Sequence, residues 1–150
     1  SLRRQRQMCI RDSAIAAGIA SGLGFGANTQ AALITRGLAE MTRLGVALGA
    51  DKLTFQGLSG IGDLVLTCSD DLSRNRRFGK ELAKNVASDI ALKNINATVE
   101  GYKALELVLK LAQKFEVEMP ICEHVFQVTQ SKISPKDAVT ELLLRKPSDE

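Results

Sequence analysis

The sequence has 150 residues, 45% of them hydrophobic, enough for one domain with a core of its own. No apolar run approaches the roughly 20 residues that span a bilayer, and the three cysteines, Cys9, Cys68 and Cys122, are odd in number and lack CxxC spacing, which argues against a disulfide framework and a zinc site. The net charge of +3 sits in residues 1–13, where Arg3, Arg4, Arg6 and Arg11 face one acid, Asp12; the remainder is balanced and exerts no general pull on nucleic acid.

Residues 1–13, SLRRQRQMCIRDS, show no apolar periodicity and read unlike the rest. RRQRQMCIRDS resembles a peptide that recurs at the ends of metagenome-derived sequences, where adapter DNA has been translated. The segment is therefore set apart as non-native, and residues 14–150 are taken as the domain. With no secretory h-region and unpaired cysteines, the expected compartment is a reducing cytoplasm.

From Ala14 the pattern is helical. Ala14–Ala20 reads as the end of a helix that begins upstream, broken by Gly22, Gly24 and Gly26. Asn28 or Thr29 can cap the next helix. Ile34, Leu38, Met41, Leu44 and Leu48, spaced by three and four, give it one apolar face. Asp51 opens another turn. The glycines in Thr54–Cys68 suggest short broken helices. Ser73 to Lys84 is a basic helix start with an apolar stripe of Phe78 and Leu82, and Ser88–Thr98 reads as a surface connection. Leu105, Val108, Ala112 and Phe115 mark an amphipathic helix. Pro120 pre-sets the next, with Ile121, Val125 and Val128 inward. Ser134-Pro135-Lys136-Asp137 starts the last, carrying Ala138, Leu142 and Leu143 inward and ended by Pro147. Period-two alternation is absent. The expectation is an all-α fold of six or so helices.

The chemistry-bearing residues cluster in GLSGIGDLVLTCSDDLSRNRRF, Gly57 to Phe78. Asp63, after Gly62 and before an apolar run, suits a helix N-cap; it equally suits a carboxylate that accepts a substrate hydroxyl or orients a cationic base. Ser73, Arg74 and Asn75 open a helix, whose free N–H groups, with a hydroxyl, a guanidinium and an amide, suit a phosphate or carboxylate. Arginines in a first turn oppose the helix dipole, a local conflict that hints at function. Gly22–Gly26 lacks the GxGxxG spacing of a dinucleotide site. His124 reads as a surface residue and Cys68 as packing, and no residue set forms a nucleophilic triad. A rival reading is a stand-alone helical binding module that uses Arg74, Arg76 and Arg77 as a basic cluster.

The segments AIAAGIASGLGFGANTQAALITRGLAEM, GLSGIGDLVLTC, SRNRRFG, TVEGY and VEMPICE, in this order and spacing, resemble the C-terminal helical domain of bacterial NAD(P)-dependent glycerol-3-phosphate dehydrogenases. The resemblance implies a helical domain of the 6-phosphogluconate-dehydrogenase-like type, paired in the family with an N-terminal Rossmann domain that this chain lacks. It implies interconversion of dihydroxyacetone phosphate and sn-glycerol 3-phosphate with NAD or NADP, in phospholipid synthesis. Asp63, Ser73, Arg74 and Asn75 fall at substrate positions, with Thr67 a further polar neighbour. Arg74, Thr98 and Glu100 fall at cofactor positions, where the family commonly has valine in place of Thr98. The family lysine that moves the proton is expected at position 10, occupied here by Ile10, so no catalytic residue is assigned and the chain alone is expected to be inactive. A homodimer is common in the family; a metal, a nucleic-acid partner and a membrane span are not expected. Related 3-hydroxyacyl and 6-phosphogluconate enzymes share the architecture, but the SRNRR and GDLVLTC pair separates this chain from them.

Overall fold

A computed structural model describes residues 2–96 and 100–145, the side chains of 100–103 excepted. Among the described residues there are eight α-helices and no strand. They are α1 (Leu2–Gly22), α2 (Ala27–Ala47), α3 (Asp63–Ser69), α4 (Arg74–Leu82), α5 (Ser88–Asn94), α6 (Glu100–Lys114), α7 (Pro120–Thr129) and α8 (Pro135–Leu144). Between α2 and α3 the chain makes a 3-10 turn, Lys52–Gln56, and a single π turn, Leu58–Gly62. The all-α expectation holds, with two more helices than foreseen.

The centre of the fold is α1. It is buried continuously from Met8 to Ala20 apart from Arg11, and it touches α2, α3, α4, α6, α7 and α8. A helix enclosed on all sides must be small or apolar all round, and Ala14, Ile15, Ala16, Ala17, Ile19 and Ala20 meet that demand. Two glycines bring α4 closest. A Cβ on Gly18 would overlap the Arg76 carbonyl, and one on Gly79 would overlap the Ile15 carbonyl. Backbone therefore packs on backbone at this crossing, and the N-terminus of α4 is fixed against the middle of α1.

Several expectations need correction. The helix expected to begin upstream of Ala14 does so, but the segment set apart from the fold belongs to it: residues 2–13 are helical, and Met8, Cys9, Ile10, Asp12 and Ser13 are buried. Extending an existing helix is cheaper than nucleating one, and Arg, Gln and Met are good helix formers, which outweighs the missing periodicity. Neither Asn28 nor Thr29 caps α2. Gly26 holds the N-cap position, and Gln30 instead donates to the Ala17 carbonyl of α1 at 2.9 Å. Ser88–Asn94 is helical, with Ser88, Ala91 and Leu92 buried, and Ser88 Oγ donates to the Thr129 carbonyl at 2.6 Å. Phe115 lies just past α6 and is exposed. His124 is largely covered, its ring nitrogens 2.7 Å from the Pro120 carbonyl and 2.9 Å from Glu141 Oε2, so it bridges α7 and α8.

Local signals with short reach were realised as read. Asp51 caps the 3-10 turn by accepting from Leu53 N–H. Ser134 caps α8 by accepting from Asp137 N–H at 3.1 Å, with Pro135 in the first turn. The end of α8 at Leu144 precedes Pro147, which lies outside the described residues. Pro120 opens α7, whose side-chain cap comes from elsewhere: buried Glu40 of α2 accepts the Ile121 N–H at 2.5 Å. Burial pushes the Glu40 carboxyl up from 4.5 to about 8, even though this hydrogen bond and Arg43 pull it down.

Candidate functional site

The two sequence segments singled out above form two short helices lying side by side on α1. Leu64, fully buried, anchors the start of α3 against the α1–α2 layer: a Cβ on Gly37 would meet both Ser13 and Leu64. Phe78, Gly79 and Leu82 anchor α4. Asp63 and Thr67 lie on α3 and Ser73, Arg74 and Asn75 open α4, so one layer of the fold carries all five.

Asp63 is the first residue of α3 and is half-buried. It does not cap that helix; Gly62 precedes it in helical conformation with no side-chain cap. Ser73 is the N-cap of α4, where its Oγ accepts the Arg76 N–H at 3.4 Å. The hydroxyl proton is left to donate to a ligand oxygen. Asn75 is half-buried and Arg74 exposed. Among the described residues, the side chains of Asp63, Arg74 and Asn75 enter no hydrogen bond or ion pair. The start of α4 therefore offers an uncommitted guanidinium and amide and a hydroxyl with its proton still free to donate, beside the positive end of the helix, and the start of α3 offers an uncommitted carboxylate.

Its neighbours in the sequence are committed. Arg76 is buried and uses its guanidinium three ways, donating to the Cys68 carbonyl at 3.0 Å, to Asp71 Oδ1 at 3.0 Å and to Ser21 Oγ at 3.2 Å. Lys80 pairs with the same Asp71 oxygen at 2.8 Å. Hydrogen bonds from Lys80 and then Arg76 hold the Asp71 carboxyl below its usual range. Arg74, Arg76 and Arg77 are thus not one basic surface, which corrects the rival reading. Arg76 faces inward, and only Arg74 and Arg77 face solvent. The dipole conflict noted in the sequence also has its answer here. The guanidinium that is unfavourable at its own helix start binds the Cys68 carbonyl in the last turn of α3, where positive charge is favoured. Sequence reasoning counted Arg76 only as a member of the basic cluster; its partners lie 8, 5 and 55 residues away.

The remaining assignments resolve as follows. Thr98 lies outside the described residues. Glu100 opens α6, and its side chain is likewise not described. Ile10 is 2% exposed, in the core. Cys68 is buried, as expected of a packing residue, and burial pushes its thiol up to about 12. All three cysteines are free. Among the described residues no His, Cys, Asp or Glu cluster could hold a metal, and no helix is long and apolar enough to cross a membrane. Sequence reasoning also passed over a buried acid, Asp12, whose Oδ2 has no partner and whose carboxyl is pushed by burial up to about 7.

Residues 13–140 match the family model described as the NAD-dependent glycerol-3-phosphate dehydrogenase C-terminus. The chain is 69% identical over 137 residues to a glycerol-3-phosphate dehydrogenase [NAD(P)+] from Ruthia magnifica, covering 91% of this chain and 42% of that protein. It is 56% identical over 137 residues to the enzyme of that name from Aeromonas salmonicida, covering 91% and 41%. The chain thus spans about two-fifths of the length of these curated relatives. Among solved structures, glycerol-3-phosphate dehydrogenase from Coxiella burnetii superposes with a TM-score of 0.87 at 44% identity, covering 94% of this chain and 44% of that one. A Dunaliella salina structure, at 22% identity and a TM-score of 0.76, shares the fold.

Proposed function

The chain belongs to the family of C-terminal domains of NAD-dependent glycerol-3-phosphate dehydrogenases, and on that premise we propose that it supplies the glycerol-phosphate site of such an enzyme. The intact enzyme interconverts dihydroxyacetone phosphate and sn-glycerol 3-phosphate, with NAD or NADP, in a reducing cytoplasm. The observation that carries this reading is the division within one sequence motif. Arg76, Asp71 and Lys80 hold one another, whereas among the described residues the side chains of Arg74 and Asn75, in the first turn of α4, and of Asp63, at the start of α3, enter no hydrogen bond or ion pair.

Each residue then has a task its chemistry suits. The phosphate lies at the N-terminus of α4, held by the Arg74 fork, the Asn75 amide and the Ser73 hydroxyl. Asp63 accepts a substrate hydroxyl or orients the cationic proton donor. Fixing the phosphate positions the remote C2 carbon, so binding energy far from the reacting bond serves the reaction. The exposed Arg74 fork also fits an anionic dinucleotide, and Thr98 and Glu100 are assigned to its contacts by resemblance alone. The bound nicotinamide supplies the hydride.

Residues 1–13 are proposed to be non-native. The family match begins at residue 13. The resemblance implies apolar residues at positions 12 and 13 and lysine at 10, yet the segment places Asp12, its Oδ2 without a partner, in the core and Ile10 where the lysine belongs. The test is NAD(P)H oxidation with dihydroxyacetone phosphate. The 150-residue chain alone should show none. The full-length protein carrying lysine at position 10 should be active, with its KM for dihydroxyacetone phosphate raised at least tenfold by Arg74→Ala. Turnover by the chain alone, or an unaltered KM in that variant, would overturn the reading.

A further inference from the structure

The ligand-binding groups proposed above come from two separate helices. Asp63 and Thr67 ride on α3, and Ser73, Arg74 and Asn75 ride on α4. The two helices touch each other little; each is seated mainly on α1. The segment between them, Asp70 to Ser73, is exposed except at Ser73 and is shaped by an Asp70 turn in which Oδ1 accepts the Leu72 N–H at 2.9 Å. Packing on α1 alone would let α3 shift along it without breaking a polar contact to α4. One side chain closes that gap. Arg76 leaves the first turn of α4 and grips the Cys68 carbonyl at the end of α3, the Ser21 hydroxyl on α1 and the Asp71 carboxylate in the connecting segment.

We propose that Arg76 is a positioning residue, which sets the separation between the α3 and α4 halves of the ligand site without touching the ligand. This rests on the reading of that site given above. Its planar fork holds three acceptors in three directions at once. The Gly18 and Gly79 contacts fix α4 on α1 beside it, so the fork transmits the position of α1 and α4 to the carbonyl end of α3. Lysine at this position keeps the charge and can serve one of the three acceptors, leaving the other two to water or to no partner. The Cys68 carbonyl is within the buried set, so its loss is felt most.

The test measures dissociation constants for sn-glycerol 3-phosphate and for NADH, by calorimetry on the full-length protein, together with thermal melts. Arg76→Lys is expected to weaken sn-glycerol 3-phosphate about tenfold, the scale of one lost charge-assisted hydrogen bond. NADH affinity should stay within about twofold of wild type. Ser21→Ala, which removes a single contact, is expected to weaken sn-glycerol 3-phosphate about threefold with an unchanged melt, and it carries the test if Arg76→Lys does not fold. Losses in both ligands in proportion to a lowered melt would mean that Arg76 serves the fold alone, and would overturn the proposal. So would unchanged sn-glycerol 3-phosphate affinity in Arg76→Lys or, failing that, Ser21→Ala, while Arg74→Ala still abolishes binding. If Arg74→Ala also binds normally, the glycerol-phosphate reading of the site falls, and the proposal falls with it.

Discussion

Gly79→Ala tests whether the crossing of α1 and α4 is as tight as the structure has it. By helix propensity alone the change should stabilise, by about 1 kcal/mol, since Gly79 lies inside α4. Packing says the opposite. The new Cβ would overlap the Ile15 carbonyl oxygen, stand 2.8 Å from Ile19 N and reach 3.0 Å from Gly18 C, when real Cβ contacts essentially never fall below 3.0 Å. All three neighbours are α1 backbone, so no side chain can rotate out of the way, and the helices must part. Overpacking of this kind costs roughly 1–3 kcal/mol and sometimes more. Parting also loosens Phe78 and Leu82, which are buried along the same seam. With three backbone atoms in the way the cost lies in the upper part of that range and exceeds the propensity gain, for a net loss of about 1–2 kcal/mol, or a Tm lower by about 2–8 °C in a chain of this size. Thermal melts followed by far-UV circular dichroism measure it. Gly57→Ala, whose Cβ meets nothing within 4 Å, serves as the control and should stay within about 0.5 kcal/mol of wild type. A Gly79→Ala variant as stable as wild type, or more so, would refute the backbone-on-backbone crossing.

Two buried acids give further tests. Burial raises Glu40 from 4.5 to about 8 and Asp12 from 3.8 to about 7. The folded chain therefore keeps protons that the unfolded chain has released, and stability is full below about pH 4 and falls as pH rises through 7 and 8. Glu40→Gln keeps an oxygen for the Ile121 N–H while removing the titration, so its melt should match wild type near pH 5 and exceed it near pH 9, by up to a few kcal/mol. Parallel melting curves against pH in the two proteins would contradict this. Asp12→Val removes an orphaned Oδ2 from the core and should raise stability by about 1–3 kcal/mol in urea titrations, with a destabilised variant as the contrary result.

What could be read from the sequence was mostly local. Ser134 and Pro135, Asp51 and Pro120 act within a turn of themselves, and each lies where its side-chain chemistry put it. Apolar spacing placed Leu105, Val108 and Ala112 and the inner faces of α7 and α8 in the core, because periodicity survives whatever packs against it. The failures involve partners distant in sequence. Asn28 was a sound cap by propensity, but Gln30 reaching α1 and Gly26 at the boundary set the start of α2 instead. The cap of α7 comes from Glu40, some eighty residues earlier in the chain. Residues 2–13 carry no amphipathic signal, because Leu2–Gln7 extend beyond the enclosed part of α1, and their helix rests on continuation from Met8 onward rather than on an apolar face. In the candidate site, residue types and order pointed to α3 and α4, whereas the inward role of Arg76 became visible only once Cys68 and Ser21 were placed around it.

The most direct test of the central claim compares two arginines of the same charge and exposure on one helix, of which only Arg74 is assigned to the site. Arg74 and Arg77 are both exposed, both on α4 and within one turn of each other. The affinity of the full-length protein for sn-glycerol 3-phosphate should be titrated in Arg74→Ala and Arg77→Ala. If α4 presents a built phosphate site, Arg74→Ala loses binding by at least tenfold, and Arg77→Ala stays within about threefold of wild type. Equal, salt-dependent losses in both would show a diffuse basic surface in place of a site, and would contradict the account.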